Sequence, residues 1–350
     1  MTLEIIRLLA FEGPNILGPQ PSVLLQLRAD RDRSARLRAA LKDAAQSVGV
    51  VVGALDVAAA DTAGGALITA SFSTPTPVLS ADVARYVVAG MRARAAGDES
   101  WDAEEELWQL QRRRRAEALP LEALRLAAEA TARGVPWFVR ADGALQLGYG
   151  ARGWAVRLGA LRGRGSAIPL DEVGVAQGGT TAPASIEVPW ERIGAIPVVA
   201  VTGGAERGRV AGLVAAALRG RGVRVAWHRD AGFERARELL AEPGAEAVVA
   251  GLEPGDALRR GLPFERCTGA AVLGLPDPLP PEAADREEQA RALGVALLLT
   301  DSAGTAALGA DTPEVAALTA YAPCPVTMVR GDGAAEQAAG ALLHSLSPAL

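Results

Sequence analysis

The sequence predicts an α/β protein in which an N-terminal α+β domain precedes a doubly wound, mostly parallel sheet domain. Three observations support this fold class. The length of 350 residues suits about two domains of ordinary size. Residues 1–150 carry hairpin signals and separate helices. From residue 196 onward, short apolar strands alternate with helices, which is the pattern of parallel strands joined by crossovers.

Residues 1–150 contain hairpins and helices in turn. The predicted elements, in order, are a hairpin over 1–30, a helix over 32–49, strands over 50–60 and 64–73, helices over 80–97, 101–118 and 120–134, and a hairpin over 135–150. Ser80 is the expected N-cap of the second helix, and Gly134 closes the fourth. Asp142 and Gly143 form the expected turn of the last hairpin.

The remaining chain divides in two. Residues 151–195 are rich in glycine, proline, serine and threonine, which predicts a connector with one or two short strands. Residues 196–350 form the predicted parallel-sheet domain. Its strands are expected over 196–204, 223–230, 245–253, 268–277, 295–311 and 323–331, and its helices over 207–222, 233–244, 287–294 and 334–346.

Composition excludes several classes of protein. A net charge of −5 and a pI near 5.4 lack the basic face that nucleic-acid binding requires. Two cysteines and two histidines exclude a disulfide scaffold and a histidine-rich metal centre. The first residues do not resemble a signal peptide, and no run approaches ~18 apolar residues. We therefore expect a cytoplasmic protein without a membrane partner.

The most informative junction is the predicted strand that leads through a glycine-containing turn into the helix at 207. A phosphate-binding P-loop has this setting, because backbone N–H groups and the helix N-terminus then face the phosphates. In such loops a lysine adds charge, and the following serine or threonine binds Mg²⁺. Lys42 is the only lysine of this chain, far from the junction in sequence.

The run IPVVAVTG (196–203) resembles the start of the Mur ligase central domain, where the motif continues G-T-N-G-K-T-T. Gly203 matches the first glycine, and the remaining six positions hold Gly204, Ala205, Glu206, Arg207, Gly208 and Arg209. Arg207 replaces a compact ammonium by a larger fork. Glu206 brings negative charge toward the phosphate position, and the Mg²⁺-binding hydroxyl is lost. The resemblance therefore predicts a degenerate nucleotide loop.

Two hairpin motifs, FEGPNILG (11–18) and GVPWFVRADGALQLGYG (134–150), are similar to the N-terminal domain of cyanophycin synthetase. Residues 236–280 resemble the Mur-type domain of the same family. The similarity covers most of 1–150 and 190–330. The family also has an ATP-grasp domain between these regions, and it needs ~200 residues. Too few residues separate the two matched regions here to contain it.

The chain also departs from the family at its metal and coupling positions. Gly251 stands where the family has a metal-binding glutamate, and Glu253 lies two residues further on. Leu279 replaces a histidine, with Asp277 nearby but out of step. In the family's N-A-D-D-P motif this chain has Gly309 and Thr312 at the asparagine and the second aspartate, and it keeps Asp311 and Pro313. The resemblance therefore predicts no catalytic residues and no metal site.

Four arginines could bind an acidic ligand: Arg112, Arg113, Arg259 and Arg260. The first two lie late in a charged helix that begins with three glutamates, where pairs three and four residues apart are the plainer interpretation. The other two could equally form surface salt bridges. The alternative is that these guanidinium groups bind a carboxylate-bearing partner.

From the resemblance we expect a catalytically inactive relative of cyanophycin synthetase that has no cofactor. Its function would be binding, as an oligomeric scaffold or modulator of an active synthetase, or as a holder of the aspartate–arginine polymer that this family makes. The alternative is an ATP-dependent amide ligase with an atypical loop. In that case Arg207 would bind phosphate, Glu253 or Asp277 would hold Mg²⁺, and Arg259 or Arg260 would bind an acidic substrate.

Overall fold

A computed structural model describes residues 3–162 and 186–346 of the chain. It confirms the predicted fold class, because an antiparallel α+β region precedes an all-parallel sheet that carries helices on both faces. The central part of the predicted connector, 163–185, lies outside the described residues. No helix in the described ranges is both long and apolar enough to span a bilayer.

The first region is a four-stranded antiparallel sheet covered on one face by helices. Its elements are β1 (Leu3–Phe11), β2 (Ser22–Ala29), α1 (Ser34–Val48), β3 (Gly53–Thr62), β4 (Gly65–Ser73), α2 (Pro77–Ala96) and α3 (Ala103–Glu117). The strand order is β1-β2-β4-β3. Alternating side chains such as Leu25, Leu27 and Ile68 are buried against Leu37 and Val88 of the helices. This face forms the core of the region.

A smaller antiparallel sheet follows. Its elements are α4 (Leu121–Ala132), β5 (Trp137–Val139), β6 (Ala144–Leu147), β7 (Trp154–Arg157) and α5 (Leu158–Arg162). β5 and β6 form the predicted hairpin, and Gly143 has φ +75° in its turn. β7 pairs with β6, so this sheet continues past residue 150 into the stretch predicted as a connector. Gly134, with φ +67°, ends α4 as predicted.

The parallel sheet has the strand order β13-β12-β11-β8-β10-β9 in the described residues. Its elements are β8 (Val198–Thr202), α6 (Arg207–Gly220), β9 (Val225–Ala231), α7 (Phe233–Leu240), β10 (Ala247–Leu252), α8 (Pro254–Arg260), β11 (Cys267–Val272), α9 (Arg286–Leu298), β12 (Thr300–Gly309), α10 (Pro313–Ala316), β13 (Val326–Val329) and α11 (Ala334–Leu346). α6 and α11 pack on one face, whereas α7 and α9 pack on the other. The sheet is therefore doubly wound.

Two local predictions were wrong, and a short helix was missed. α2 begins at Pro77 rather than after Ser80, because proline at the first helical position favours an early start. The stretch 295–298 continues α9 instead of beginning a strand, since a short apolar run suits either element. The short helix α8 was not predicted, although Glu253 caps its N-terminus.

The antiparallel-sheet region and the parallel-sheet region meet through direct backbone contact between the turn after β1 and the end of α8. Glu12 N–H donates to the Arg260 carbonyl over 2.8 Å, and Leu262 N–H donates to the Pro14 carbonyl over 2.8 Å. A Cβ added to Gly13 would lie 1.9 Å from the Leu262 carbonyl oxygen. Gly261, with φ +80°, would bring its own Cβ 2.5 Å from the Pro14 carbonyl oxygen. We call this contact of residues 12–14 with 260–262 the seam.

Ion pairs between the antiparallel-sheet region and the parallel-sheet region accompany the backbone contact of the seam. Arg7 of β1 donates to Glu288 of α9 over 2.8 Å, and both side chains are at least nine-tenths buried. Arg260 donates to Glu12 over 2.6 Å and also pairs with Glu234. Removing one partner of the buried Arg7–Glu288 pair would leave an uncompensated charge, so this pair disfavours separation of the two regions.

Asn15, the only asparagine of the chain, holds the turn that enters the seam. Its Nδ2 donates to the carbonyls of Gly13 and Gln20 over 2.8 and 3.0 Å. Its Oδ1 accepts from Leu17 N–H at 2.8 Å and from the Ser22 hydroxyl at 3.2 Å. The buried amide thus has four partners, and the G-P-N motif is explained by the turn it builds.

We predict that Gly13→Ala lowers the free energy of unfolding by about 2–3 kcal/mol, because the new methyl group overlaps a backbone carbonyl that cannot rotate away. Urea denaturation measures the change. The matched control is Gly220→Ala at the end of α6, where an added Cβ has no neighbour within 4 Å. An unchanged midpoint for Gly13→Ala would show that the sheets do not depend on this contact.

Candidate functional site

The candidate site is the turn between β8 and α6, at the centre of the parallel sheet. From β8 the chain proceeds toward β9 on one side, and from β11 it proceeds toward β12 on the other. The crevice beside two such adjacent strands, at their carboxyl ends, is where doubly wound proteins bind ligands. The predicted loop residues therefore occupy the expected position in the fold.

The turn after β8 touches the turn after β11 through backbone atoms. Leu273 N–H donates to the Thr202 carbonyl over 3.1 Å. Gly203 has φ +108°, and an added Cβ would lie 2.6 Å from the Gly274 carbonyl oxygen. Glycine is required at 203 both for this conformation and for the close approach of the neighbouring turn.

Arg207 stands at the lysine position of the Mur ligase motif that this loop resembles, and its side chain folds back over the loop. Its Nη1 donates to the Gly204 carbonyl over 3.1 Å. Its Nη2 and Nε donate to Asp230 at the end of β9 over 2.6 and 3.2 Å. The guanidinium is thus bonded to a carbonyl of its own loop and paired with a carboxylate.

The other charged loop residues face outward. Glu206 is 52% exposed and pairs with Arg209 at 3.4 Å, and Arg209 also pairs with Glu336 of α11. Gly208 faces the end of β9, and an added Cβ would lie 3.1 Å from the Arg229 carbonyl oxygen. This glycine lets the first turn of α6 approach the end of β9.

Arg259 lies among three carboxylates of its own chain. It contacts Glu253 at 3.0 Å, Asp256 at 2.8 Å and Glu282 at 3.5 Å. Glu253 also accepts from the backbone N–H groups of Gly255 and Asp256 at 3.0 and 2.7 Å, as the cap of α8. Both carboxylate oxygens of Glu253 are therefore engaged at the helix start.

Arg260 belongs to the seam. Besides its ion pairs, its guanidinium lies 4.3 Å from the centre of the Phe233 ring. Arg237 lies 4.4 Å from the same ring, so two cations flank one aromatic side chain. Burial lowers the pKa of Arg237 below the ordinary arginine value. These contacts give Arg260 a role in joining the two sheets.

The last pair of predicted ligand-binding arginines lies on α3. Arg113 pairs with Asp82 of α2 and, over 2.5 Å, with Glu117. Arg112 is exposed, and its guanidinium lies 5.6 Å from the centre of the Trp108 ring, itself 47% exposed. Of the four predicted arginines, Arg112 alone makes no ion pair within the described ranges.

Two positions that the resemblance aligns with the metal and coupling residues of cyanophycin synthetase, Gly251 and Asp311, lie in internal contacts of the chain. A Cβ added to Gly251 would lie 2.2 Å from the Arg229 carbonyl oxygen, so no side chain fits at this position. Asp311 accepts from Gly331 N–H at 2.9 Å. Residues 3–162 and 186–346 hold no group of three or more His, Cys, Asp or Glu side chains placed to share a metal ion.

Sequence reasoning missed two features of the site. Asp230, the partner of Arg207, lies at the end of β9, and β10 separates that strand from β8, so the sequence alone did not bring the two side chains together. Thr202 is fully buried at the end of β8, and its hydroxyl has no hydrogen-bond partner among residues 3–162 and 186–346. No sequence signal separates such a hydroxyl from a bonded one.

We predict that Thr202→Val raises the free energy of unfolding by about 1 kcal/mol, because it removes a buried hydroxyl without a partner. The matched control is Thr300→Val. Thr300 is also buried, and its hydroxyl donates to the Ala296 carbonyl over 2.9 Å, so its loss costs about 1 kcal/mol. Chemical denaturation of both variants compares the signs. Destabilisation by Thr202→Val would show that its hydroxyl has a partner.

The comparisons with known proteins identify one family. Its model, described as a domain of unknown function (DUF4938), matches residues 2–328. None of the curated proteins compared matches the chain. The match spans both the antiparallel and the parallel sheets, including the seam and the loop after β8. The chain therefore belongs to the DUF4938 family.

Proposed function

We propose that this protein is a catalytically inactive relative of cyanophycin synthetase and acts by binding. It would serve as a scaffold or modulator of an active synthetase in the cytoplasm, or hold the aspartate–arginine polymer. One observation carries the proposal: the cation at the lysine position, Arg207, is bound to Asp230 and to the Gly204 carbonyl of its own loop.

This arrangement opposes triphosphate binding in two ways. A phosphate cradle works because several backbone N–H groups converge on the anion. Here the Arg207 guanidinium already donates to the Gly204 carbonyl of its own loop, so it is not free to meet an anion. A phosphate would also have to displace the Asp230 carboxylate from Arg207. The chain's only lysine, Lys42, lies in α1 of the other sheet region.

The alternative of an ATP-dependent amide ligase with an atypical loop finds less support. It requires Glu253 or Asp277 to hold Mg²⁺, and the Glu253 carboxylate caps α8 and pairs with Arg259. It also requires Arg259 or Arg260 to bind an acidic substrate, and both are paired with carboxylates of the chain itself. The roles of Glu253 and of these two arginines would first require the loss of an internal contact.

A binding role leaves one of the predicted arginines available. Arg112 and Trp108 lie four residues apart on the exposed face of α3, with the guanidinium over the ring. Tryptophan and arginine are the side chains that most often dominate the binding energy of protein interfaces. A carboxylate-bearing polymer or protein could bind Arg112 without disrupting an internal ion pair.

We predict that the protein shows no binding of Mg-ATP by isothermal titration calorimetry. Asp230→Asn releases Arg207, and this variant should bind inorganic pyrophosphate about tenfold more tightly than the wild type, or ~1.4 kcal/mol. The control is Glu122→Gln, which removes an equivalent carboxylate from its pair with Arg125 on α4. Micromolar binding of Mg-ATP by the wild type, with phosphate release on adding amino acids, would instead support the ligase.

We predict that the wild type is retained on immobilised aspartate–arginine polymer or copurifies with an active cyanophycin synthetase. Arg112→Ala and Trp108→Ala should each weaken that interaction about tenfold, or ~1.4 kcal/mol. Arg125→Ala is the control, since Arg125 is equally exposed but already paired with Glu122. If neither the polymer nor the synthetase is bound, the binding proposal fails.

A further inference from the structure

The antiparallel sheet has two edges that differ in their surroundings. β1 forms one edge, and α8 and α9 of the parallel-sheet region pack against it. Arg92 also donates to the Leu3 carbonyl at its start. β3 forms the other edge, and its last five residues, 58–62, are all exposed. An exposed edge presents unpaired backbone groups that can bind another strand.

The pairing of β3 with β4 determines which backbone groups face outward. Thr62 and Gly65 are paired across a two-residue turn, as the last hydrogen-bonded pair of a tight hairpin. The even-numbered residues of β3 therefore bond to β4, and the odd-numbered residues direct their N–H and C=O groups away from it. Independent evidence comes from Arg38, which donates to the carbonyls of Leu55 and Val57 over 2.9 Å each.

Arg38 thus covers the first half of the edge and leaves the second half open. The outward N–H and C=O groups of Ala59 and Asp61 have no partner within the described ranges. Lysine and proline, two residues that protect a sheet edge, are absent from β3, and the irregularity in its pairing with β4 lies between Gly53 and Asp56, outside the open half. The side chains at 58–60 are all alanine, so nothing bulky obstructs an approaching strand.

We propose that β3 pairs with β3 of a second copy of this chain, antiparallel and centred on Ala60. Ala59 of each copy then exchanges two hydrogen bonds with Asp61 of the other, which gives four across the two-fold axis. The two four-stranded sheets join into one of eight strands. The inference is independent of the proposed function.

A second copy fits this edge because the register is self-complementary. With Ala60 at the axis, Asp61 lies opposite Ala59, and Asp56 lies beyond the paired residues, so no two carboxylates face each other. The Arg38 guanidinium over Leu55 and Val57 ends the pairing on each side. The contact is therefore short, which predicts a weak, concentration-dependent dimer.

Cysteine cross-linking tests this register. Ala60 meets its own copy as a non-hydrogen-bonded pair, with Cα atoms about 4.5 Å apart, which suits a disulfide. Ala58→Cys is the matched control, because Ala58 is equally exposed on the same face but lies opposite Thr62. Native thiols do not interfere: Cys267 and Cys324 are buried, and burial raises the pKa of Cys267 to about 12.

We expect Ala60→Cys to form a covalent dimer under mild oxidation at least tenfold faster than Ala58→Cys. Equal rates, or no dimer from either variant, would overturn the proposed pairing. The combined variant Ala58→Cys with Thr62→Cys should form the cross-link again, because position 58 of one copy lies opposite position 62 of the other on each side of the axis.

A second measurement needs no cysteine. Ala59→Pro removes an outward N–H and leaves the bonds of β3 to β4 in place. Sedimentation velocity at increasing concentration should show a weak dimer for the wild type and a monomer for this variant, with unchanged thermal unfolding of the monomer. A wild type that stays monomeric up to about 1 mM, or an Ala59→Pro variant that dimerises equally, would overturn the inference.

Discussion

The seam between residues 12–14 and 260–262 is the contact on which the arrangement of the molecule depends. It consists of backbone against backbone, with Gly13 and Gly261 placed where any side chain would overlap a carbonyl oxygen. Asn15 holds the entering turn, and the buried pair of Arg7 with Glu288 fixes the sheets beside it. Direct backbone contact leaves little room for the two regions to shift against each other. The seam therefore keeps α8 over β1, one edge of the antiparallel sheet, and β3 remains as the exposed edge.

The motifs that carry the family resemblance are largely accounted for by such contacts. The G-P-N turn enters the seam. The Gly-Tyr-Gly motif places Tyr149 in the core beside Phe138, and Ala151 N–H donates to the Ala245 carbonyl over 2.7 Å. Burial, and after it the nearby Glu265 carboxylate, raises the pKa of the Tyr149 phenol above its ordinary value. These contacts give the two motifs a structural role.

The sequence was sufficient for the fold class, because the change from separate hairpins and helices to strand–helix alternation is plain in the apolar pattern. It also located the loop after β8. It could not show that Arg207 binds Asp230, since that contact depends on two strands that become neighbours of β10 only in the folded sheet. Nor could it separate the paired Arg259 and Arg260 from the exposed Arg112, because identical side chains differ only in their three-dimensional surroundings.

Gly251 limits which residues the parallel sheet can accept at this position. The strand β10 shifts register against β9 beside this residue, and its α-carbon faces the Arg229 carbonyl with no room for a methyl group. A larger side chain fits there only if the backbone of two strands moves. Any single substitution of Gly251 therefore carries the cost of that overlap, whatever the chemistry of the new side chain.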